Sequence, residues 1–187
     1  MNVPSVSSRR AFTLIELLVV ISILAILMTL LFPAVGRAFD QVKKTQAKND
    51  AAQIATAITA YYTEYGKMPL ATGSGDMQIN DSSGKLMNIL AGVTPNDPDN
   101  PRQITFLEVP RAKSGKNGAE NTGGNYSSAY KDSWGQPYEV WVDGDYDNKI
   151  AGPDGTDVRK TVLVWSTGKP KGKSKNTDQK DFVKSWE

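Results

Sequence analysis

The sequence contains neither cysteine nor histidine. Without cysteine, disulfides, thiol nucleophiles and thiolate metal sites are excluded. Without histidine, Ser-His-Asp and Cys-His catalysis and the usual zinc sites are excluded as well. Catalysis would have to depend on pairs of acidic residues, and none stands out from the predicted turns, so an enzyme is the least favoured class. A metal site would have to be built from oxygen ligands.

The sequence also lacks a strong charge of either sign. Its 187 residues, enough for one modest domain beyond an anchor, include 22 basic and 20 acidic residues, for a formal net charge of +2. Removing residues 1–11 would take away Arg9 and Arg10 and no acid, leaving the two signs equal in number. We therefore expect no nucleic-acid partner, because such proteins present a clear basic surface.

One long apolar run, Phe12–Val35, dominates the N-terminal region. As a helix of 24 residues it would be about 36 Å long, which is enough to cross a hydrocarbon core of about 30 Å. Arg9 and Arg10 precede the run, which favours a cytoplasmic N-terminus. The sequence predicts a single-pass protein, with residues 36–187 forming a globular domain outside the cytoplasmic membrane.

Glu16 interrupts the apolar run. An ionised carboxylate inside a bilayer costs about 2.5–3.5 kcal/mol unless it is paired. No Lys, Arg or His lies between Phe12 and Gly36. A cut between Ala11 and Phe12 would create an α-ammonium group at a similar depth, and in an assembly the amine of one subunit would meet the carboxylate of its neighbour.

The segment Arg9–Leu17, RRAFTLIEL, resembles the processing site of type IV pilins and of type II secretion pseudopilins. The resemblance implies that a prepilin peptidase removes the leader 1–11, that the new N-terminal amine of Phe12 is methylated, and that Glu16 directs assembly. Ala11 stands where the family usually has Gly, and its small side chain still suits cleavage. An uncleaved signal anchor and a secretory signal peptide are the alternatives; the first leaves Glu16 unexplained, and the second lacks a suitable cleavage site.

Beyond the apolar run, the helix is predicted to continue as an amphipathic helix over residues 36–66. Apolar side chains recur at three- and four-residue steps through Ile54, Ile58 and Tyr61, which is typical of a face that packs on a core. Gly66 is the predicted C-terminal cap of this helix.

Pro33 and Gly36 lie within the long helix. Proline removes a backbone donor and glycine adds flexibility, so we expect a kink or local unwinding there. The resemblance implies that the helix melts at this place in a filament; a simple proline kink at the membrane surface remains equally open.

Residues 67–131 are predicted to be variable loops with few regular elements. Ala71–Gly84 is rich in Gly, Ser and Asn and indicates a loop, while Lys85–Ala91 has the spacing of a short helix. Ile104–Val109 is a β-branched and aromatic run that predicts a strand.

Residues 132–187 are predicted to form a β-sheet and a C-terminal loop. Glu139–Val142 and Val162–Ser166 have the composition of strands. The predicted fold class is α+β: a long N-terminal helix, membrane-inserted in its first half and amphipathic in its second, packed on a small antiparallel β-sheet head with long loops.

Three segments of this region, Asp132–Tyr138, Ser166–Gly168 and Asp181–Trp186, resemble the head of the major pseudopilin of type II secretion systems. The resemblance implies a pseudopilus subunit that drives protein export, with its helix in the bacterial inner membrane, its head in the periplasm and the assembled filament in the periplasm. Its implied partners are copies of itself, a prepilin peptidase, an inner-membrane assembly platform, minor pseudopilins and membrane lipid. A type IV pilin for adhesion, motility or DNA uptake is the main alternative. A membrane-anchored binding or sensor domain is another, which would not need cleavage at Ala11.

No cofactor is certain from the sequence, but the resemblance raises calcium. The family typically binds it in the turn after the S-x-G element, where this chain has the lysine-rich segment Lys169–Lys173. Asp181 matches a later acidic position and Asp178 lies close to it. Calcium needs six to eight oxygen ligands, and in this chain lysines stand where the family has its first carboxylate. The sequence therefore does not favour calcium binding at the family site.

A second acidic cluster lies upstream and offers another candidate calcium site. Asp143, Asp145 and Asp147 alternate along the chain and are followed by Asn148, a spacing that can direct several oxygens into one loop. A solvent-exposed Asp-Gly and Asp-Asn hairpin turn remains the alternative.

Overall fold

The computed structural model describes residues 12–72, 75–172 and 178–187, without the side chains of Pro33 and Ala34. The predicted leader 1–11, including Ala11, lies outside the described residues. The chain divides into two compact units, Met1–Gln41 and Val42–Glu187. We call the second unit the head.

A single helix, α1 (Leu14–Tyr65), contributes to both units. It ends where the sequence predicts: Gly66 has a φ of 67° and its N–H donates to the carbonyl of Tyr62 at 2.8 Å. This left-handed conformation satisfies a carbonyl of the last turn, and glycine adopts it without steric cost. The helix continues through Pro33 and Gly36. The proposed melting of the helix at these residues in a filament stays a prediction.

In the first unit, the apolar side chains of α1 have no protein core to cover them. Every large apolar side chain from Phe12 to Phe32 is exposed, with exposed fractions between 47% and 81%. Among the described residues, α1 is also the one helix long and apolar enough to cross a membrane. Apolar surface of this extent needs an apolar environment, which a lipid bilayer provides.

The head contains the second half of α1, whose buried face is the one that the sequence predicts. Ile54, Ile58 and Tyr61 are fully buried, and Tyr65 packs against the edge of the same cluster. The cluster also includes the apolar side chains of the second helix, α2 (Lys85–Ala91). The predicted α2 is confirmed with the same bounds.

A four-stranded antiparallel sheet has the order β1-β4-β7-β8. Two small hairpins, β2 with β3 and β5 with β6, complete the strands of the head. The strands are β1 (Met77–Ile79), β2 (Asn121–Thr122), β3 (Asn125–Tyr126), β4 (Glu139–Val142), β5 (Ile150–Ala151), β6 (Asp157–Val158), β7 (Val162–Ser166) and β8 (Val183–Lys184). A 3₁₀ turn, Gln179–Asp181, precedes β8. The predicted α+β class is confirmed.

The central strand β7 is buried on both faces. Val162 and Val164 belong to the cluster that contains α1, whereas Leu163 and Trp165 belong to a second cluster on the opposite face. This alternation follows from the two-residue period of a strand. The second cluster is aromatic: Trp165 stacks on Trp141 and meets Trp186 edge-on.

Two predictions for the loop region are wrong. Ile104–Val109 is not a strand; the N–H groups of Phe106 and Leu107 both donate to the carbonyl of Leu90, at 2.8 and 3.0 Å, so the segment wraps the end of α2. Conversely, the predicted loop Ala71–Gly84 contains β1, which pairs with β4.

Candidate functional site

The first turn of α1 positions Glu16, the residue on which the predicted assembly depends. The backbone N–H and the hydroxyl of Thr13 both donate to Oε2 of Glu16, at 2.9 and 2.7 Å, and the N–H of Glu16 donates to the hydroxyl of Thr13 at 3.3 Å. This reciprocal arrangement is a capping box, which satisfies the unpaired donors at the start of a helix. Glu16 therefore has a structural role in the single chain. Its pairing with the amine of another subunit stays a prediction.

In the head, the predicted motifs Asp132–Tyr138 and Ser166–Gly168 meet at one buried carboxylate. Oδ1 of Asp132 accepts hydrogen bonds from the N–H groups of Trp134 and Gln136, each at 2.8 Å. Its Oδ2 accepts from the hydroxyl of Ser166, which in turn accepts from the N–H of Gly168 at 2.9 Å. Burial raises the pKa of Asp132, and these hydrogen bonds oppose the rise. The two motifs form one polar clamp inside the head.

Tyr138, the last residue of the first motif, connects this clamp to α1. Its hydroxyl lies 3.2 Å from the carbonyl oxygen of Ala47 and 3.3 Å from Oδ2 of Asp50. Asp50 is itself buried and accepts from Nε2 of Gln46 at 2.8 Å. Burial raises the pKa values of both Asp50 and Tyr138. We infer that these motif residues hold the sheet against the helix.

Of the acidic residues predicted to bind calcium, the structure brings two together and adds a third. Asp143, Asp145 and Asp76 each offer a carboxylate oxygen, and these oxygens lie within 4.8 Å of one another. Asp143 is fully buried, whereas Asp76 and Asp145 are exposed. Burial raises the pKa of Asp76, and the carboxylates of Asp145 and Asp143 add to the rise, while a hydrogen bond from the N–H of Ala151 opposes it.

Asp147 and Asn148 have different roles in the same turn. The Oδ1 of Asp147 accepts from the N–H of Lys149 at 2.8 Å, and its Oδ2 lies 3.7 Å from the Lys149 ammonium. The backbone N–H of Asn148 donates to Oδ2 of Asp143 at 2.8 Å. Asp147 does not belong to the three-carboxylate cluster, although its charge also raises the pKa of Asp76.

Asp178 and Asp181 lie with the lysine-rich segment. The ammonium of Lys171 is 3.2 Å from Oδ2 of each aspartate. Asp178 also accepts a hydrogen bond from the N–H of Lys180 and so caps the 3₁₀ turn. These carboxylates already face a cation of the chain, so their proposed role as calcium ligands has no support from this geometry.

The sequence reasoning missed Thr13 and Asp76. The T-x-x-E spacing of Thr13 and Glu16 is a recognisable capping-box signature, so the role of Thr13 could have been predicted from the sequence. Asp76 gave no such signal, because it follows a Gly/Ser-rich stretch and its partners lie more than sixty residues along the chain.

Comparison with known proteins bears on the N-terminal region alone. Residues 6–32 match the family described as the prokaryotic N-terminal methylation motif. No curated protein and no solved structure matches the chain. The motif implies processing by a prepilin peptidase and pilus-like self-assembly, and together with the one long apolar helix it suggests a membrane-anchored single-pass protein. These findings support a type IV pilin-like protein.

Proposed function

We propose that this chain is a structural subunit of a pseudopilus that drives protein export by a type II secretion system. A prepilin peptidase cuts between Ala11 and Phe12, the new amine is methylated, and subunits then assemble through their apolar helices. The observation that carries the proposal is the methylation motif over residues 6–32, which coincides with an acidic residue at the start of an exposed apolar helix.

The charge on Glu16 explains why subunits would be added in register. Two opposite charges about 4 Å apart attract each other with about 4 kcal/mol at an effective dielectric constant near 20, which is of the same order as the cost of about 2.5–3.5 kcal/mol for each unpaired charge in a membrane. The amine of a newly added subunit would therefore be drawn to the Glu16 carboxylate of its neighbour. A head-to-tail contact of this kind repeats without closing and produces a helical filament.

The pseudopilus is favoured over a surface pilus by the head. The methylation motif is common to both kinds of filament, but the segments Asp132–Tyr138 and Ser166–Gly168 resemble the major pseudopilin. Their hydrogen bonding to each other through Asp132 and Ser166 supports treating them as one structural unit. The inner-membrane assembly platform and minor pseudopilins are proposed as partners on the same basis. A type IV pilin for adhesion, motility or DNA uptake remains the second candidate.

Substitutions in the capping box separate the charge of Glu16 from its role in the helix. Glu16→Gln keeps an oxygen that can accept from Thr13 but removes the charge. Thr13→Val keeps the charge but removes the hydroxyl bonds of the box. We expect Glu16→Gln to abolish filaments, seen by electron microscopy of sheared material, and Thr13→Val to retain them.

Processing is measured in the same cells by N-terminal mass spectrometry. We expect both variants to begin at N-methylated Phe12, because the cleavage site is unchanged. Filaments of Glu16→Gln in normal amount would refute the charge-pairing mechanism, and a protein that still begins at Met1 would refute the filament-subunit proposal altogether.

Deleting the gene distinguishes the two candidate functions. For a pseudopilin, we expect exported proteins to disappear from the culture medium while surface pili and twitching motility remain. Loss of surface pili with normal export would instead identify a type IV pilin. The Glu16→Gln allele should reproduce the deletion phenotype, and the Thr13→Val allele should complement it.

A further inference from the structure

Two aspartates oppose each other where β1 meets β4. The antiparallel register pairs Met77 with Val142, so the preceding Asp76 is opposite the following Asp143. Like charges directly opposite on neighbouring strands destabilise a sheet. Asp145 adds a third carboxylate, and one oxygen from each of the three lies within 4.8 Å of the others. We propose that Asp76, Asp143 and Asp145 bind one calcium ion at this corner of the head.

The buried carboxylate of Asp143 independently indicates a missing partner. Asp143 has no exposed surface, and its Oδ1 has no hydrogen-bond partner among the described residues, although its Oδ2 accepts from the N–H of Asn148. A buried polar atom without a partner is costly and rare in folded proteins. A cation bound between the three carboxylates would be coordinated by this oxygen and would so provide the missing partner.

No side chain of the described residues supplies that cation. The ion pairs among the described residues all involve other acids, and Lys149, the nearest lysine in sequence, pairs with Asp147. Among the described residues, the three carboxylates, one of which carries the unpartnered Oδ1 of Asp143, therefore have no ion-pair partner. An external cation is the simplest group that satisfies all of them.

The ligand chemistry identifies a hard cation, and calcium suits it best. All three side chains offer carboxylate oxygens, which calcium and magnesium accept and which are less favoured by softer metals. Two oxygens on one calcium ion can be up to about 5 Å apart, because Ca–O distances are about 2.3–2.6 Å. Calcium also tolerates the irregular arrangement of ligands from separate segments better than magnesium, which demands near-ideal octahedral geometry.

Binding would connect segments that are distant in the sequence. Asp76 precedes β1, while Asp143 and Asp145 lie in the turn between β4 and β5. Oδ2 of Asp76 also accepts from the N–H of Ala151 in β5, at 3.2 Å. The ion would therefore hold β1, the edge strand of the main sheet, to the turn that leads into the β5–β6 hairpin. We expect it to stabilise this corner of the head.

Calorimetric titration of the full-length chain tests the site directly. The protein is purified in detergent micelles, stripped of divalent ions with EDTA, dialysed and titrated with CaCl₂. We expect one site with a Kd on the order of 10⁻⁴–10⁻³ M, the range of extracellular calcium modules. Thermal unfolding, followed by tryptophan fluorescence, should shift to a higher temperature in millimolar CaCl₂ but not in MgCl₂ of the same concentration.

Two exposed ligands provide variants that leave the core intact. Asp76→Asn and Asp145→Asn should each weaken calcium binding by at least about tenfold, because affinity follows the number of charged ligands. Asp178→Asn, from the lysine-rich segment, is the control and should bind as the wild type does. Asp147→Asn removes a neighbouring charge but no member of the cluster, so it should weaken binding less than Asp76→Asn does.

Three outcomes would overturn the proposal. The first is a wild-type chain that gives no heat and no thermal shift with calcium. The second is an unchanged Kd in Asp76→Asn. The third is a larger loss of binding in Asp147→Asn than in Asp76→Asn, or any loss in Asp178→Asn, which would place the ion elsewhere. None of these results depends on filament assembly, so the site can fail while the proposed function stands.

Discussion

Replacing Asp132 with alanine removes an acceptor that three donors of the head share. The N–H groups of Trp134 and Gln136 and the hydroxyl of Ser166 would lose their partner. Each buried donor left unpaired costs about 1–3 kcal/mol, and costs within one network do not simply add. Part of the loss is offset because the variant no longer buries a carboxylate, whose pKa is raised by burial. We expect a net loss of about 3 kcal/mol in the free energy of unfolding.

Tryptophan fluorescence is a suitable assay, because all four tryptophans lie in the head, at positions 134, 141, 165 and 186. Thermal unfolding of the full chain in detergent with EDTA, which removes any effect of calcium, should show a fall in Tm of about 10 °C for a 3 kcal/mol loss in a domain of this size. Urea denaturation on the same samples should give the free energy with little change in the m-value.

Asp132→Asn provides the matched control. Asparagine keeps an oxygen for the Trp134 and Gln136 N–H groups and loses only the charged acceptor for Ser166, so we expect a loss of about 1 kcal/mol. An alanine variant within about 0.5 kcal/mol of the wild type would refute the clamp, since surface substitutions commonly have effects of that size. Equal losses for Ala and Asn would show that the shared acceptor is not what matters.

The two remaining predictions also concern the stability of the head. Gly168→Ala should cost about 2 kcal/mol or more, measured by urea denaturation, because Gly168 has a φ of 71° and an added Cβ would lie 2.8 Å from the carbonyl oxygen of Asp181. Gly172→Ala is the control that separates backbone strain from the clash, because Gly172 also has a φ of 71° but no described residue lies within 4 Å of an added Cβ. Equal losses for the two variants would contradict the clash. Burial raises the pKa of Asp81 to about 7, although hydrogen bonds from the N–H groups of Leu86 and Met87 to its carboxylate oppose the rise. Because the pKa is raised in the folded state, the contribution of Asp81 to stability is complete below about pH 4 and is lost as the pH rises through 7. The total loss in the free energy of unfolding is on the order of 4 kcal/mol. The variant Asp81→Asn should unfold with a flatter pH dependence than the wild type, and an identical dependence would refute the raised pKa.

The elements predicted correctly are those whose signal is local and repeated. The stripe through Ile54, Ile58 and Tyr61 covers several helical turns, and Gly66 ends it, so the amphipathic part of α1 and its buried face could be found from spacing alone. The same holds for α2 and for β7, where five consecutive residues suit a strand buried on both faces. Here the local preference and the final packing agree.

The errors arise where a short segment takes its structure from a distant partner. Ile104–Val109 has the composition of a strand, but its backbone donors reach the carbonyl of Leu90 at the end of α2 instead of a neighbouring strand. Met77–Ile79 is too short, and its surroundings too polar, to signal a strand; it becomes one because β4 supplies the hydrogen bonds. Strand propensity depends on context in this way more than helix propensity does.

The candidate sites also divide into those that depend on a local sequence signal and those that depend on contacts between distant segments. The methylation motif over residues 6–32 and the apolar helix can be identified from the amino-acid order, because a processing motif and a candidate membrane span are continuous stretches whose chemistry does not depend on the rest of the chain. The meeting of Asp132 with Ser166, and of Asp76 with Asp143, follows only from the folded sheet. Both pairs join segments far apart in the sequence, and the register that brings them together is set by which strand faces pack against α1, a collective result of the whole core.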